Sequence, residues 1–229
     1  MTFAQSTAPA ANSHQETRST GQELVEAYRL LRQTLLLALA DSQSRTVVFS
    51  GAGAETGKST LCSNLAIVMA QAGSRVAVID ADLRRPAQHR NFRVDPGSGL
   101  SAYLGGFCRA EDCLLPQAVP GVDLIPAGAT PPNPEALLGG ARMRSLLAAL
   151  SARYDCVFLD TPPVLSAPDA LTAAAGSAGI VLAARQHRTA YRELRACAEA
   201  IRQNDVPLLG VVVTGMNSRP PHNRRSDRS

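Results

Sequence analysis

Apolar positions along the chain follow two rhythms. Leu24, Tyr28, Leu31, Leu35 and Leu39 recur at three- and four-residue spacing, which predicts a helix from Gln22 to about Ala40. Glu26, Arg29 and Arg32 repeat every three residues on its other side. Short apolar runs then occur at Thr46–Phe49, Arg75–Asp80, Val122–Pro126, Tyr154–Asp160, Gly179–Ala183 and Leu208–Val213, each of a length suited to a buried strand. Helical spacing returns between them. Leu61, Leu65, Ile67, Val68 and Met69 mark one helix, a short one begins in Gly97–Leu104, and others cover Met143–Leu150 and Ala190–Gln203. Ala72-Gly73 is a helix stop, and Asn133-Pro134 closes a turn-rich loop and opens a helix. No internal repeat is visible. Strands alternating with helices predict an α/β fold, doubly wound, with a mainly parallel sheet flanked by helices. Residues 1–20 lack periodicity and are expected to be a disordered N-terminal arm; residues 21–217 form the domain, and residues 218–229 a basic tail.

Composition narrows the classes. The 229 residues are 45% hydrophobic, enough for one sizeable core. No apolar run approaches the roughly 20 residues that span a bilayer. The first ten residues have neither a basic nor an apolar signal region, so a cytoplasmic location is expected. A net charge of +4 and 4% aromatic residues do not suggest a nucleic-acid platform. Cys62, Cys108, Cys113, Cys156 and Cys197 fit no zinc spacing and read as free packing cysteines. The tail arginines Arg219, Arg224, Arg225 and Arg228 suit an ordinary solvated tail better than a lipid contact.

The chemistry starts where the first strand ends. Ser50-Gly-Ala-Gly-Ala-Glu-Thr-Gly-Lys-Ser-Thr60 stands between a strand and a helix, the context of a phosphate-binding loop. Its N–H groups and the following helix dipole favour anions. Gly51, Gly53, Ala54, Glu55, Thr56, Gly57, Lys58, Ser59 and Thr60 are thus the nucleotide-binding candidates, with Lys58 directed to the β- and γ-phosphates and the Ser59 hydroxyl to Mg²⁺. The first glycine of G-x-x-x-x-G-K-[ST] is replaced by Ala52, flanked by Gly51 and Gly53. Lys58 is the only lysine among 23 basic residues, which marks a role that arginine does not fill. Two more strands end in acid, at Asp80 and Asp160. Because ligands of such folds bind at strand carboxyl ends, these acids converge on the loop and are the metal-side candidates with Ser59. Asp82 suits a hydroxyl-proton acceptor or a turn cap; Arg84 and Arg85 can neutralise phosphate, and one of them is expected to be only a surface residue.

Together, the Walker A segment 50–60, Val78-Ile-Asp-Ala-Asp-Leu-Arg-Arg-Pro86 and Phe158-Leu-Asp-Thr-Pro-Pro163 resemble the catalytic domain of the bacterial tyrosine kinases of capsule and exopolysaccharide synthesis. Glu26-x-x-Arg29-x-x-Arg32, Pro131-Pro-Asn-Pro-Glu-Ala-Leu-Leu138 and Pro163–Leu171 are similar to further family stretches, so the likeness spans about residues 22–217. The resemblance implies a P-loop NTPase-like fold and an ATP- and Mg²⁺-dependent autokinase with Lys58, Ser59, Asp80, Asp82 and Asp160 as its catalytic set. It implies a ring assembled through the Glu26, Arg29 and Arg32 helix. It also implies a separate membrane activator at the inner face of the plasma membrane, and control of polysaccharide polymerisation and export.

Two departures stand out. The family's C-terminal tyrosine cluster has no counterpart, since the only tyrosines are Tyr28, Tyr103, Tyr154 and Tyr191. The phosphoacceptor is then another protein or an internal tyrosine, or the chain is a nucleotide-driven switch. Many relatives place Asn near the end of the last strand to read the base; here Thr214 stands there, with Asn217 three residues on. A positioning ATPase of the Min/Par type is the rival from another class. Its signature lysine would fall at Gly53, which argues against it.

Overall fold

The computed structural model describes the backbone of residues 11–215 and the side chains of residues 21–215. All six predicted strands form: β1 (Thr46–Gly51), β2 (Val76–Asp80), β4 (Val122–Ile125), β5 (Cys156–Asp160), β6 (Gly179–Arg185) and β7 (Leu208–Thr214). A seventh, β3 (Leu115–Val119), pairs antiparallel with β4, and the sheet order is β3-β4-β2-β5-β1-β6-β7. Every other pairing is parallel. β3 escaped the sequence reading because it carries Pro116, a positive φ at Gln117 and a register shift, which only an edge strand tolerates.

The central strands bury both faces, and their residues alternate between two helical layers. Val47, Phe49, Val76, Val78 and Phe158 pack on one side with Leu35 and Leu39 of α1 (Ala11–Leu39) and Leu61, Leu65 and Met69 of α2 (Lys58–Gln71). Phe92 of α3 (Gln88–Phe92) joins them. Val48, Ala77, Ile79, Val157 and Leu159 face the opposite layer. That layer contains α4 (Gly99–Leu104), α5 (Ala110–Cys113), α6 (Pro134–Leu138), α7 (Ala141–Ser151), α8 (Asp169–Ala174) and α9 (Tyr191–Gln203). Helices α3, α5 and α8 are one or two turns long, too short to write a 3.6-residue period into the sequence.

Helix α1 corrects one expectation. It starts at Ala11, so residues 11–20 are helical where a disordered arm was expected. Once the docked part has nucleated, each added residue gains a hydrogen bond without needing an apolar stripe, so periodicity gave no sign of it. The predicted stripe docks by its C-terminal half: Leu35 and Leu39 are buried, Tyr28 and Leu31 half-buried, and Leu24 exposed. The Tyr28 hydroxyl accepts a 3.2 Å bond from Asn64 Nδ2 and so ties α1 to α2. Residues 1–10 and the expected basic tail at 218–229 lie outside the described residues, as does Asn217. Among the described residues no helix is long and apolar enough to cross a membrane. All five cysteines are free.

Phe49 and Phe158 meet edge to face beneath the site, ring centroids 4.8 Å apart, in adjacent strands. Phe158→Ala is expected to lower stability by about 3–5 kcal/mol, read from urea unfolding of the nucleotide-free protein. A loss below about 1 kcal/mol would show that the surrounding core collapses into the space.

Candidate active site

Strand order places the chemistry. β5 lies between β2 and β1, so Asp160 is in register with Asp80 on one side and with Phe49, just before the loop, on the other. The Asp-Thr-Pro-Pro turn is fastened to the loop's entry. Thr161 donates through both its N–H (2.9 Å) and its hydroxyl (3.0 Å) to the Phe49 carbonyl. Ser50 Oγ donates to the Pro162 carbonyl at 2.7 Å, and Val164 N–H to that of Gly51 at 3.1 Å.

The loop from Gly51 to Gly57 opens α2, whose first residue is Lys58. Gly57 has φ 81°, a left-handed turn that glycine adopts without strain. A Cβ on Gly51 would collide with the Thr56 hydroxyl, so any larger residue here requires Thr56 to shift. Ala52, at the expected glycine, is buried without difficulty. The Thr214 hydroxyl donates its one proton to the Thr56 carbonyl, with the Ala184 carbonyl a longer alternative acceptor at 3.3 Å, fixing the loop to the end of β7. Arg185 Nη1 donates to the Glu55 carbonyl at 3.2 Å, and Arg188 pairs with the exposed Glu55 carboxylate at 2.8 Å. Thr214 therefore supports the loop backbone. Arg185 and Arg188 were missed in the sequence, where arginines 130 residues away carry no positional signal.

Lys58 is the hub. Its ammonium donates to Asp82 Oδ2 at 2.8 Å, to Asp160 Oδ1 at 3.2 Å and to Ser59 Oγ at 3.2 Å. Burial opposes the charge, but the Asp160 and Asp82 carboxylates outweigh it and hold the Lys58 pKa above its usual value. Asp82 Oδ1 also accepts the Arg85 N–H at 2.9 Å, so this residue caps its turn and faces the site at once. Asp80 Oδ2 accepts the N–H groups of Ala87 (2.9 Å) and Gln88 (2.8 Å), while its Oδ1 is buried without a partner among the described residues. Burial, then the nearby Asp160 charge, pushes Asp80 up to about 7 against those two bonds. Gln88, fully buried, was not foreseen. Its Nε2 donates to Asp160 Oδ2 at 2.8 Å and to the Ser59 carbonyl at 3.0 Å.

The candidates thus divide. Lys58, Ser59, Asp80, Asp82 and Asp160 converge. Arg84 turns aside: its guanidinium makes a two-pronged bond to the fully buried Asp169, Nε–Oδ2 2.8 Å and Nη2–Oδ1 3.1 Å. There it borders a cleft of about 540 Å³ with Asn133, Glu135 and Thr172. Glu26, Arg29 and Arg32 sit on α1, which packs on α2 but, among the described residues, contributes no side chain to the Lys58 network. Glu26 and Arg29 form an exposed ion pair of the i,i+3 kind, and Arg32 is half-buried with Nε unpartnered among the described residues.

The donors suit a hard cation: a hydroxyl and two strand-end carboxylates, one of them, Asp80, with an oxygen left without a partner among the described residues. No group of three or more His, Cys, Asp or Glu side chains among the described residues forms a closed cage.

Comparison with known proteins agrees with this geometry. Residues 42–226 match the family model described as ParA, NUBPL iron-transfer P-loop NTPase. The kinase domain of Escherichia coli tyrosine kinase ETK superposes with a TM-score of 0.80 at 34% identity, covering 86% of this chain and 78% of that one. The chimerical protein CapA2B2 does so with a TM-score of 0.78 at 30% identity, covering 82% and 83%. Tyrosine-protein kinase wzc of Salmonella typhimurium is 34% identical over 195 residues, which is 85% of this chain. The chain spans 27% of that relative's length. Matched over most of its length by the family model and by a solved tyrosine-kinase domain, the chain belongs to the bacterial tyrosine kinase domain family, within the ParA-type P-loop NTPases.

Proposed function

We propose that this domain transfers the γ-phosphoryl group of ATP to a tyrosine hydroxyl and thereby regulates polysaccharide polymerisation and export. The observation that carries the reading is the Lys58 ammonium bound to Asp82 and Asp160 at the mouth of the phosphate loop. A triphosphate entering the loop competes for Lys58 and releases both carboxylates. Asp82 then takes the acceptor hydroxyl's proton as the new O–P bond forms and the bond from γ-phosphorus to the bridging oxygen breaks, leaving ADP. Ser59, Asp80 and Asp160 are the residues to hold Mg²⁺, which neutralises charge on the phosphate oxygens. Loop residues Gly51, Gly53, Ala54, Glu55, Thr56, Gly57 and Thr60 present backbone to the phosphates; Arg84 reaches them only by leaving Asp169.

Three of the four tyrosines are engaged. Tyr28 bonds to Asn64, Tyr103 donates to the Arg142 carbonyl, and Tyr154 is buried against Asp123. Tyr191, at the start of α9, is 80% exposed and is the internal acceptor the fold leaves open. The same engagement favours a second reading, a nucleotide-dependent switch of the polysaccharide machinery that transfers no phosphate. Under either reading we place the chain in a ring assembled through the Glu26, Arg29 and Arg32 helix, at the inner face of the plasma membrane beside a separate membrane activator. The family resemblance supports these assignments.

Lys58→Met is expected to slow ATP turnover by about 10²-fold or more, measured as phosphate release with Mg²⁺. Turnover at the wild-type rate would sink the site assignment. With γ-labelled ATP, label is expected on Tyr191 or on an added protein substrate, and Asp82→Asn should cut transfer by about 10²–10⁴-fold while nucleotide still binds. ATP hydrolysis without label on any protein, activator segment included, would select the switch.

A further inference from the structure

Ser59, Asp80 and Asp160 lie on three different elements, and one residue touches all of them. The Gln88 backbone N–H donates to Asp80 Oδ2 at 2.8 Å. Its side-chain Nε2 donates to Asp160 Oδ2 at 2.8 Å and to the Ser59 carbonyl at 3.0 Å. A carbonyl and a carboxylate can only accept, so the amide has one consistent orientation, with its NH₂ toward both. Asn91, one turn on, donates to the same Ser59 carbonyl at 3.1 Å and to Ser63 Oγ at 3.3 Å. Gln88 itself is fully buried.

We propose that Gln88 is the positioning residue of the metal side of this site, holding Ser59 and Asp160 in the mutual arrangement that accepts Mg²⁺ with the nucleotide. This rests on the reading of the site given above. Asp160 has two oxygens and two partners: Lys58 on Oδ1 and Gln88 on Oδ2. Phosphate draws Lys58 away; Gln88 has no such competitor, so it alone keeps the carboxylate's orientation when nucleotide arrives. Its second bond pins the first turn of α2, from which the Ser59 hydroxyl projects. Outer partners that orient metal ligands in this way typically contribute 10–100-fold to metal affinity.

The test is Gln88→Met, which keeps the length and volume of the side chain and removes both bonds. A fluorescent ATP analogue is titrated onto the full chain, first in EDTA and then at fixed concentration with increasing Mg²⁺. We expect the half-saturating Mg²⁺ concentration to rise about 10–100-fold while affinity in EDTA is unchanged. In an Asp160→Asn background the same change should cost less than it does in wild type, because one of the two ligands that Gln88 positions is already lost. Mg²⁺ dependence equal to wild type, or losses that add fully with Asp160→Asn, would overturn the assignment. A wild-type protein indifferent to Mg²⁺ would instead overturn the reading of the site on which it rests. Gln88→Leu replaces Met if the first variant does not fold; if neither folds, the residue is a folding element and the positioning role is rejected.

Discussion

Everything at this site turns on one ammonium held among carboxylates. Parallel pairing of β2, β5 and β1 brings Asp80 and Asp160 side by side at the strand ends, with Asp82 just beyond. Three acids shielded from water need a cation, since an unpaired buried charge costs several kcal/mol. Lys58 supplies it from the neighbouring loop, and what remains uncompensated shows in the raised pKa of Asp80. Binding of nucleotide is therefore an exchange of cations: the lysine moves its charge toward phosphate, and a metal takes over the acids. A guanidinium is planar and spread out, so it does not fill a point-charge position between two carboxylates and a hydroxyl. That is a physical reason for the chain's single lysine.

The supports around the hub are backbone-directed and stiff. Thr161 makes two bonds to one carbonyl, and two prolines follow it, so the acid after β5 and the start of the loop move as one piece. Asp82 is likewise held by Arg85 N–H before any ligand arrives. Preorganisation of this kind fixes a reacting geometry without reordering at the moment of reaction.

Much of this was legible in the residues, and the limit is instructive. The loop, its helix and the strand-end acids are local signals: glycines at set offsets, apolar runs that stop at Asp. They were read correctly as elements, and the parallel order then brought Lys58, Asp80, Asp82 and Asp160 together. What stayed hidden depends on long-range pairing. Gln88 looks like any polar residue in a short segment, and only the fold buries it beside Asp160. Arg84 read as a phosphate ligand, yet its partner is Asp169, 85 residues on. Thr214 stood where a base-reading side chain was sought, and its hydroxyl instead supports Thr56. The helical start at Ala11 and the edge strand β3 were lost for the opposite reason: their own sequences lack any apolar rhythm.

The bond from Thr214 to the Thr56 carbonyl has a mechanical meaning. Among the described residues β7 is the outermost strand on its side, with Leu208, Val211 and Val213 exposed and no further strand paired to it. Edge strands are where a sheet frays first. The loop that receives phosphates is thus tied at Thr56 to an edge strand of the sheet and at its start to the sheet's centre. Tension or pairing applied along that edge strand is delivered to the nucleotide's seat through a single hydroxyl.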